Sequence, residues 1–210
     1  MRTLLDLVLP LECAGCGLAG IGWCKWCAAH LTVCPRRVHP RTDPGVPCWT
    51  LSRYAGPPRR AILAAKERRR RDLAEPLGRA MAGGLARLRA DSRPLVLVPA
   101  PSRTAAARQR GGDPVVRAAR VAASWLPGCQ VWCALGVWRG VHDSVGLSAG
   151  ERRNNLQGRI MAGPNLEITA NAQVVVVDDV LTTGATVAES VRALTGAGVR
   201  VDAALVTCAA

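Results

Sequence analysis

The chain has 210 residues and carries 28 Lys+Arg against 15 Asp+Glu, a formal net charge of +13. At 49% hydrophobic and 20% charged residues it holds enough apolar material for a packed core, which excludes a disordered basic tail. Aromatics are scarce and Phe is absent, so the core must rest on Val, Leu, Ala and Ile, while the cations are almost all Arg, with Lys25 and Lys66 the only lysines.

No run approaches the ~20 apolar residues of a membrane span. The stretch from Leu4 to Leu11 is interrupted by Asp6 and leads straight into Cys13 without a small-residue cleavage site, so no signal peptide is expected. A cytoplasmic, reducing setting follows, in which the nine cysteines favour metal binding or buried thiols over disulfides.

Taken in chain order, the first feature is Cys13-x2-Cys16-x7-Cys24-x2-Cys27. Two Cys-x2-Cys knuckles supply four thiolates to a tetrahedral Zn²⁺, a structural ion because no coordination position stays open. Gly15, Gly17, Gly20 and Gly22 let so short a loop fold back. Binding free energy of order 10–16 kcal/mol is enough to fold such a module. Cys34 and Cys48 are alternative ligands but make no second knuckle, and His30 and His39 read as incidental.

Pro and Gly are dense from Pro35 to Pro58, which reads as an irregular linker. Residues 1–50 are therefore expected to form the zinc module and linker, and residues 51–210 a second domain. Apolar residues recur at helical spacing from Arg59 to Arg89, giving one long helix or two consecutive ones. Within them, Lys66-Glu67-Arg68-Arg69-Arg70-Arg71 reads as a solvated helix face or as a patch for nucleic-acid phosphates. Few aromatics lie near it for base stacking: Trp23, Trp26, Trp49 and Tyr54.

Leu95 to Val98 is a short apolar strand ended by Pro99. Val115 to Leu126 predicts a helix, Val131 to Val137 a strand, and Ser144 to Arg159 a loop. Val174 to Val177, four valines without polar alternation, predicts a strand buried on both faces and hence a parallel sheet. Thr186 to Ala197 follows as a helix closed by Gly198, and Val199 to Val206 as a last strand. Strands alternating with helices give an α/β fold.

The all-valine strand delivers Asp178 and Asp179 at its carboxyl end, where open α/β sheets bind ligands. Thr182, Thr183, Gly184, Ala185 and Thr186 then lead into a helix. Backbone N–H groups of such a turn, with a helix N-terminus behind them, make an anion site. Acids for hydroxyls beside a turn for phosphate point to a ribose 5-phosphate. There is no Gly-Lys-Ser/Thr element and no Gly-x-Gly-x-x-Gly spacing, so neither the P-loop nor the dinucleotide fingerprint applies.

This segment resembles the phosphoribosyl-diphosphate (PRPP) motif of type I phosphoribosyltransferases: four apolar residues, two acids, then Thr-Thr-Gly-Ala-Thr. Over nearly the whole chain the sequence is similar to the ComF family of competence-associated phosphoribosyltransferase-like proteins. The similarity includes the cysteine pairs, Tyr54 to Leu73 with Lys66, Val98-Pro99-Ala100-Pro101, Arg108-Gln109-Arg110-Gly111, Gly146-Leu147-Ser148 and Glu151-Arg152-Arg153-Asn154-Asn155-Leu156. Three positions depart from the family: Gly112-Asp113 replaces Phe-Asn, Val145 a Gln, and Lys66-Glu67 a Lys-Phe pair.

The resemblance implies a type I phosphoribosyltransferase fold, a parallel-centred sheet flanked by helices, with a small N-terminal zinc module. It implies that Asp178 and Asp179 hold ribose hydroxyls and that Thr182 to Thr186 wrap the 5-phosphate. Ala100 and Arg103, with Arg108 and Arg110, would form the pyrophosphate loop. Residues 148–159 would form a closing hood whose Arg152 and Arg153 meet the leaving diphosphate. The activity implied is Mg²⁺-dependent phosphoribosyl transfer to an unidentified nucleophile. The alternative is a non-catalytic accessory in DNA uptake that binds single-stranded DNA or a helicase-like partner.

Overall fold

The computed structural model describes residues 11–90, 93–101, 112–137, 160–163 and 171–210. In chain order these form α1 (Lys25–Ala28), β1 (Arg36–Val38), β2 (Cys48–Arg53), α2 (Gly56–Glu67), a 3-10 turn (Arg71–Leu73), α3 (Ala74–Leu88) and β3 (Leu95–Pro99). They continue as α4 (Pro114–Ser124), β4 (Cys129–Val131), β5 (Leu135–Val137), β6 (Ile160–Ala162), β7 (Gln173–Leu181), α5 (Ala185–Gly196) and β8 (Ala203–Ala209).

The main sheet has the order β1-β2-β8-β7-β3-β4. All its pairings are parallel except β1 with β2. Val174 to Val177 lie at its centre and are almost fully buried, as a strand covered on both faces requires. Alternation divides the strand residues between two layers. Val175, Val177, Leu95, Leu97 and Leu205 pack with Ala61, Leu77, Met81, Leu85 and Ala119 of α2, α3 and α4. Val174, Val176, Val96, Val98 and Val206 pack with Val187, Val191 and Leu194 of α5.

The predicted fold class is observed: a mainly parallel central sheet flanked by helices, with a cysteine cluster at the N-terminal end. Among the described residues, no helix is long and apolar enough to cross a membrane.

Three expectations are corrected. The presumed linker from Pro35 to Pro58 contains β1 and β2, and β2 pairs in parallel with β8, running across residue 50. Its Pro and Gly residues concentrate in the connection Pro40 to Pro47, whereas Cys48, Thr50 and Leu51 are buried strand residues. The single strand expected from Val131 to Val137 is two: β4 ends at Val131 and pairs with β3, while β5 starts at Leu135 and pairs antiparallel with β6. Third, the basic run is not a helix face. The α2 helix ends at Glu67, and Arg69 takes a left-handed conformation (φ 53°) in the turn that follows.

The long helical stretch divides there because Arg70 is recruited elsewhere. Its guanidinium donates to Asp72 at 2.8 and 2.7 Å, to the Glu12 carbonyl at 3.0 Å and to the Gly22 carbonyl at 3.3 Å. Arg60 of α2 donates to the Gly15 carbonyl. Two arginines thus fasten the cysteine module to the body, and Ala14 and Trp23 pack against the main core beside them.

The α3–α4 contact yields a stability test. A Cβ on Gly78 would lie 2.5 Å from Val121 Cβ and 2.7 Å from the Ala118 carbonyl oxygen. Helix propensity favours Gly78→Ala by about 1 kcal/mol, but overpacking against backbone costs roughly 1–3 kcal/mol. Gly78→Ala is therefore expected to lower the urea midpoint; an unchanged or raised midpoint would show that the helices separate freely.

Candidate functional site

β3 ends where β7 does not. Pro99 pairs with Val177, and the Ala100 N–H donates to the Val177 carbonyl at 2.8 Å. Past that point β7 continues through Asp178 to Leu181, paired with β8 alone. The two strands part at the acid pair, between crossovers whose helices α4 and α5 lie on opposite faces of the sheet, the switch point at which open sheets hold ligands. The acids lie inside β7 rather than after it, because pairing with Val206 and Cys208 carries the strand onward.

The two aspartates differ in environment. Asp178 is half-buried, and its Oδ1 accepts the Asp179 N–H at 2.8 Å. Burial first, and the Asp179 charge second, push its carboxyl well above the ordinary range. Asp179 faces Lys66 of α2, whose Nζ lies 2.7 Å from Oδ1 and 2.7 Å from Oδ2. Burial works to lower the Lys66 ammonium, but the attraction of Asp179, its hydrogen bond and the charge of Asp178 prevail and raise it. An apolar crevice lined by Ile62, Leu77, Met81 and Val115 opens beside the pair.

The turn after β7 has small residues, as read from the sequence. Gly184 caps α5 with φ 90°, a conformation that L side chains rarely adopt. Thr183 Oγ1 accepts the Ala185 N–H at 3.4 Å, and the first N–H groups of α5 have no partner within the helix. Thr182 is exposed, and Thr183, Ala185 and Thr186 are half-buried. One side of the turn is already occupied. The Thr42 N–H donates to the Thr183 carbonyl at 2.8 Å, and a Cβ on Gly184 would lie 2.6 Å from both Pro40 Cβ and the Thr42 carbonyl oxygen. Gly184 is therefore required by this strap as well as by its φ.

Asp178, Asp179, Ala100 and Thr182 to Thr186 are thus brought to one end of the sheet. Arg103, Arg108, Arg110, Arg152, Arg153 and Val145 lie outside the described residues. Gly112 takes φ 100°, and Asp113 caps α4, its Oδ1 accepting the Val115 N–H at 2.8 Å with Pro114 in the first turn. The Asp at this departure does what an Asn also does at a helix start.

Residues 116–210 match the phosphoribosyl transferase domain. The match starts within α4 and spans the acid pair, the threonine-rich turn and β8. Lys66, the Pro40–Thr42 strap and the cysteine module lie before it. No curated protein matches the chain. Sequence reasoning placed Lys66 only within a segment of resemblance and missed its pairing with Asp179; its rarity, one of two lysines in an arginine-rich chain, was the available signal.

In the N-terminal module, the four Sγ atoms of Cys13, Cys16, Cys24 and Cys27 lie within 4.8 Å of one another. The Cys13–Cys27 and Cys16–Cys24 sulfur pairs are 3.6 Å apart. A tetrahedral ion with sulfur at about 2.3 Å needs sulfurs about 3.8 Å apart, so the cluster fits zinc. The Cys24 N–H points to Cys13 Sγ at 3.4 Å and the Cys27 N–H to Cys24 Sγ at 3.5 Å, contacts that stabilise thiolates. Cys34 and Cys48 lie outside the cluster, and His30 packs edge-on against Trp26. Gly15 is obligatory, since a Cβ there would lie 2.5 Å from Cys27 Sγ.

Two measurements follow. The purified protein is expected to contain about one zinc, reduced in Cys16→Ser and in Cys27→Ser; full retention in both variants would remove the assignment. For Asp178, a folded pKa above the unfolded one means that the stability it contributes below pH about 3.9 is lost as pH rises towards the folded value. Asp178→Asn keeps an acceptor for the Asp179 N–H and cannot ionise. Its melting temperature relative to the parent should therefore rise between pH 4 and pH 7, and a pH-independent difference would refute the buried-acid assignment.

Proposed function

We propose that the protein is a ComF-like phosphoribosyltransferase that binds PRPP and ribose 5-phosphate at the fork between β3 and β7. The observation that carries this reading is the convergence of an acid pair and a small-residue turn at one switch point, within the segment that matches the phosphoribosyl transferase domain. Asp178 and Asp179 would take the sugar hydroxyls. The N–H groups of Thr182 to Thr186 at the start of α5 would take the 5-phosphate. In transfer, the C1–O bond breaks with its electron pair leaving on the diphosphate, and the nucleophile supplies the pair for the new C1 bond and gives up its proton. Arg103 and Arg152 are the arginines proposed to offset the leaving charge.

The acid pair is not itself a ready magnesium site, because Lys66 occupies Asp179 and burial favours neutral Asp178. Magnesium is expected to arrive on the diphosphate, whose oxygens suit a hard cation. Four thiolates would make the zinc structural. The single-stranded DNA alternative now rests on Arg68, Arg69 and Arg71, since Arg70 is committed to Asp72 and the module carbonyls.

Calorimetry with inorganic phosphate, ribose 5-phosphate and PRPP, with and without Mg²⁺, tests the reading. Gly184→Val does not discriminate, because it displaces Pro40 and Thr42 as well as any phosphate. Asp178→Asn and Asp179→Asn do. Both should retain phosphate affinity, since neither substitution adds negative charge beside the anion, and both should lose preference for ribose 5-phosphate over phosphate. Parental preference in both variants would show that the sugar binds elsewhere.

A further inference from the structure

Two adjacent carboxylates are a poor neighbour for a ligand that carries several phosphate charges, and the structure offsets both. Asp178 is half-buried against the core and receives the Asp179 N–H. Asp179 is gripped by Lys66, which reaches it from α2, 113 residues earlier in the chain, with both oxygens 2.7 Å from one nitrogen. This geometry fixes the rotation of the Asp179 carboxyl group. The Lys66 side chain is 43% exposed and Asp179 13%, and Asp178 and Asp179 together line the apolar crevice beside them.

We propose that Lys66 is a positioning residue of this site: its ammonium holds the Asp179 carboxylate in the orientation that accepts a vicinal diol and neutralises it towards an incoming sugar phosphate. The proposal rests on the phosphoribosyl reading of the fork and extends it to a residue outside the matched segment. A compact ammonium suits the role because it contacts both oxygens of one carboxylate from one side and leaves their remaining lone pairs for hydroxyl donors. Asp178, removed from water and next to the Asp179 carboxylate, is pushed towards its neutral form, which would place a hydroxyl donor beside that carboxylate.

The other groups facing the pair are few among the described residues. Asp113 at the start of α4 acts on Asp178, Tyr54 after β2 acts on Lys66, and Cys208 of β8, its thiol pushed up to about 12 by burial and by Asp179, stays neutral. None replaces the ammonium. Arg117 of α4 acts on Asp113, and among the described residues Lys66 is the cation that contacts Asp179.

The test compares the full-length parent with Lys66→Met, which keeps the stem, and Lys66→Arg, which keeps the charge. Lys66→Met should weaken ribose 5-phosphate about tenfold and inorganic phosphate less than about threefold. It should also erase the preference for ribose 5-phosphate over 2-deoxyribose 5-phosphate. Lys66→Arg should recover the preference for ribose 5-phosphate over 2-deoxyribose 5-phosphate, which a merely structural role would not predict.

Side-chain ammonium NMR of the ligand-free proteins provides the independent readout. The Lys66 midpoint should fall in Asp179→Asn, which removes the charge that raises it. An unchanged midpoint, or parental sugar discrimination in Lys66→Met, overturns the proposal. A parent that binds no sugar phosphate, with the Lys66 midpoint still lowered in Asp179→Asn, overturns the phosphoribosyl reading and the sugar role of Lys66 together, while the grip on Asp179 stands.

Discussion

A strand without a polar face has to be covered twice. That constraint, set by Val174 to Val177, organises the molecule. It demands helices on both sides of the sheet, and the chain meets it by sending α4 across one face and α5 across the other. Because the two crossovers leave in opposite directions, β3 and β7 part company at their carboxyl ends. The gap that results is a consequence of coverage before it is a site. Evolution had only to place polar residues where apolar pairing stopped, and the first two positions beyond the paired valines are Asp178 and Asp179.

The acids then inherit a difference from the architecture. Asp178 sits lower, where removal from water disfavours its charge. Asp179 lies within reach of a lysine from another element. Sequence adjacency makes the two look equivalent, yet strand alternation gives one a setting removed from water and the other a cationic partner. A carboxyl so strongly perturbed at a switch point is a mark of functional sites.

Much of this was legible beforehand, and the limits have physical causes. The central strand, the helices Pro114–Ser124 and Ala185–Gly196, the acid–threonine motif and the cysteine knuckles are local patterns, dictated by periodicity, small-residue turns and ligand spacing. Strands β1 and β2 were hidden because Pro and Gly in their connection outweighed nine residues of modest strand character. The break at Trp132 to Ala134 was hidden because strand propensity does not say which sheet a strand joins. Long-range pairs were the least accessible. Nothing in the arginine run distinguishes Arg70, which anchors the module, from Arg68, and nothing near Pro40 announces contact with Gly184.

The Pro40–Thr42 strap has a consequence for the direction of traffic at the turn. A glycine backed by proline and a carbonyl on the side where its Cβ would project is closed on that side. An anion received by the turn has to approach from elsewhere. The strap thereby gives the turn a back wall, and it comes from residues that precede the segment carrying the recognised motif.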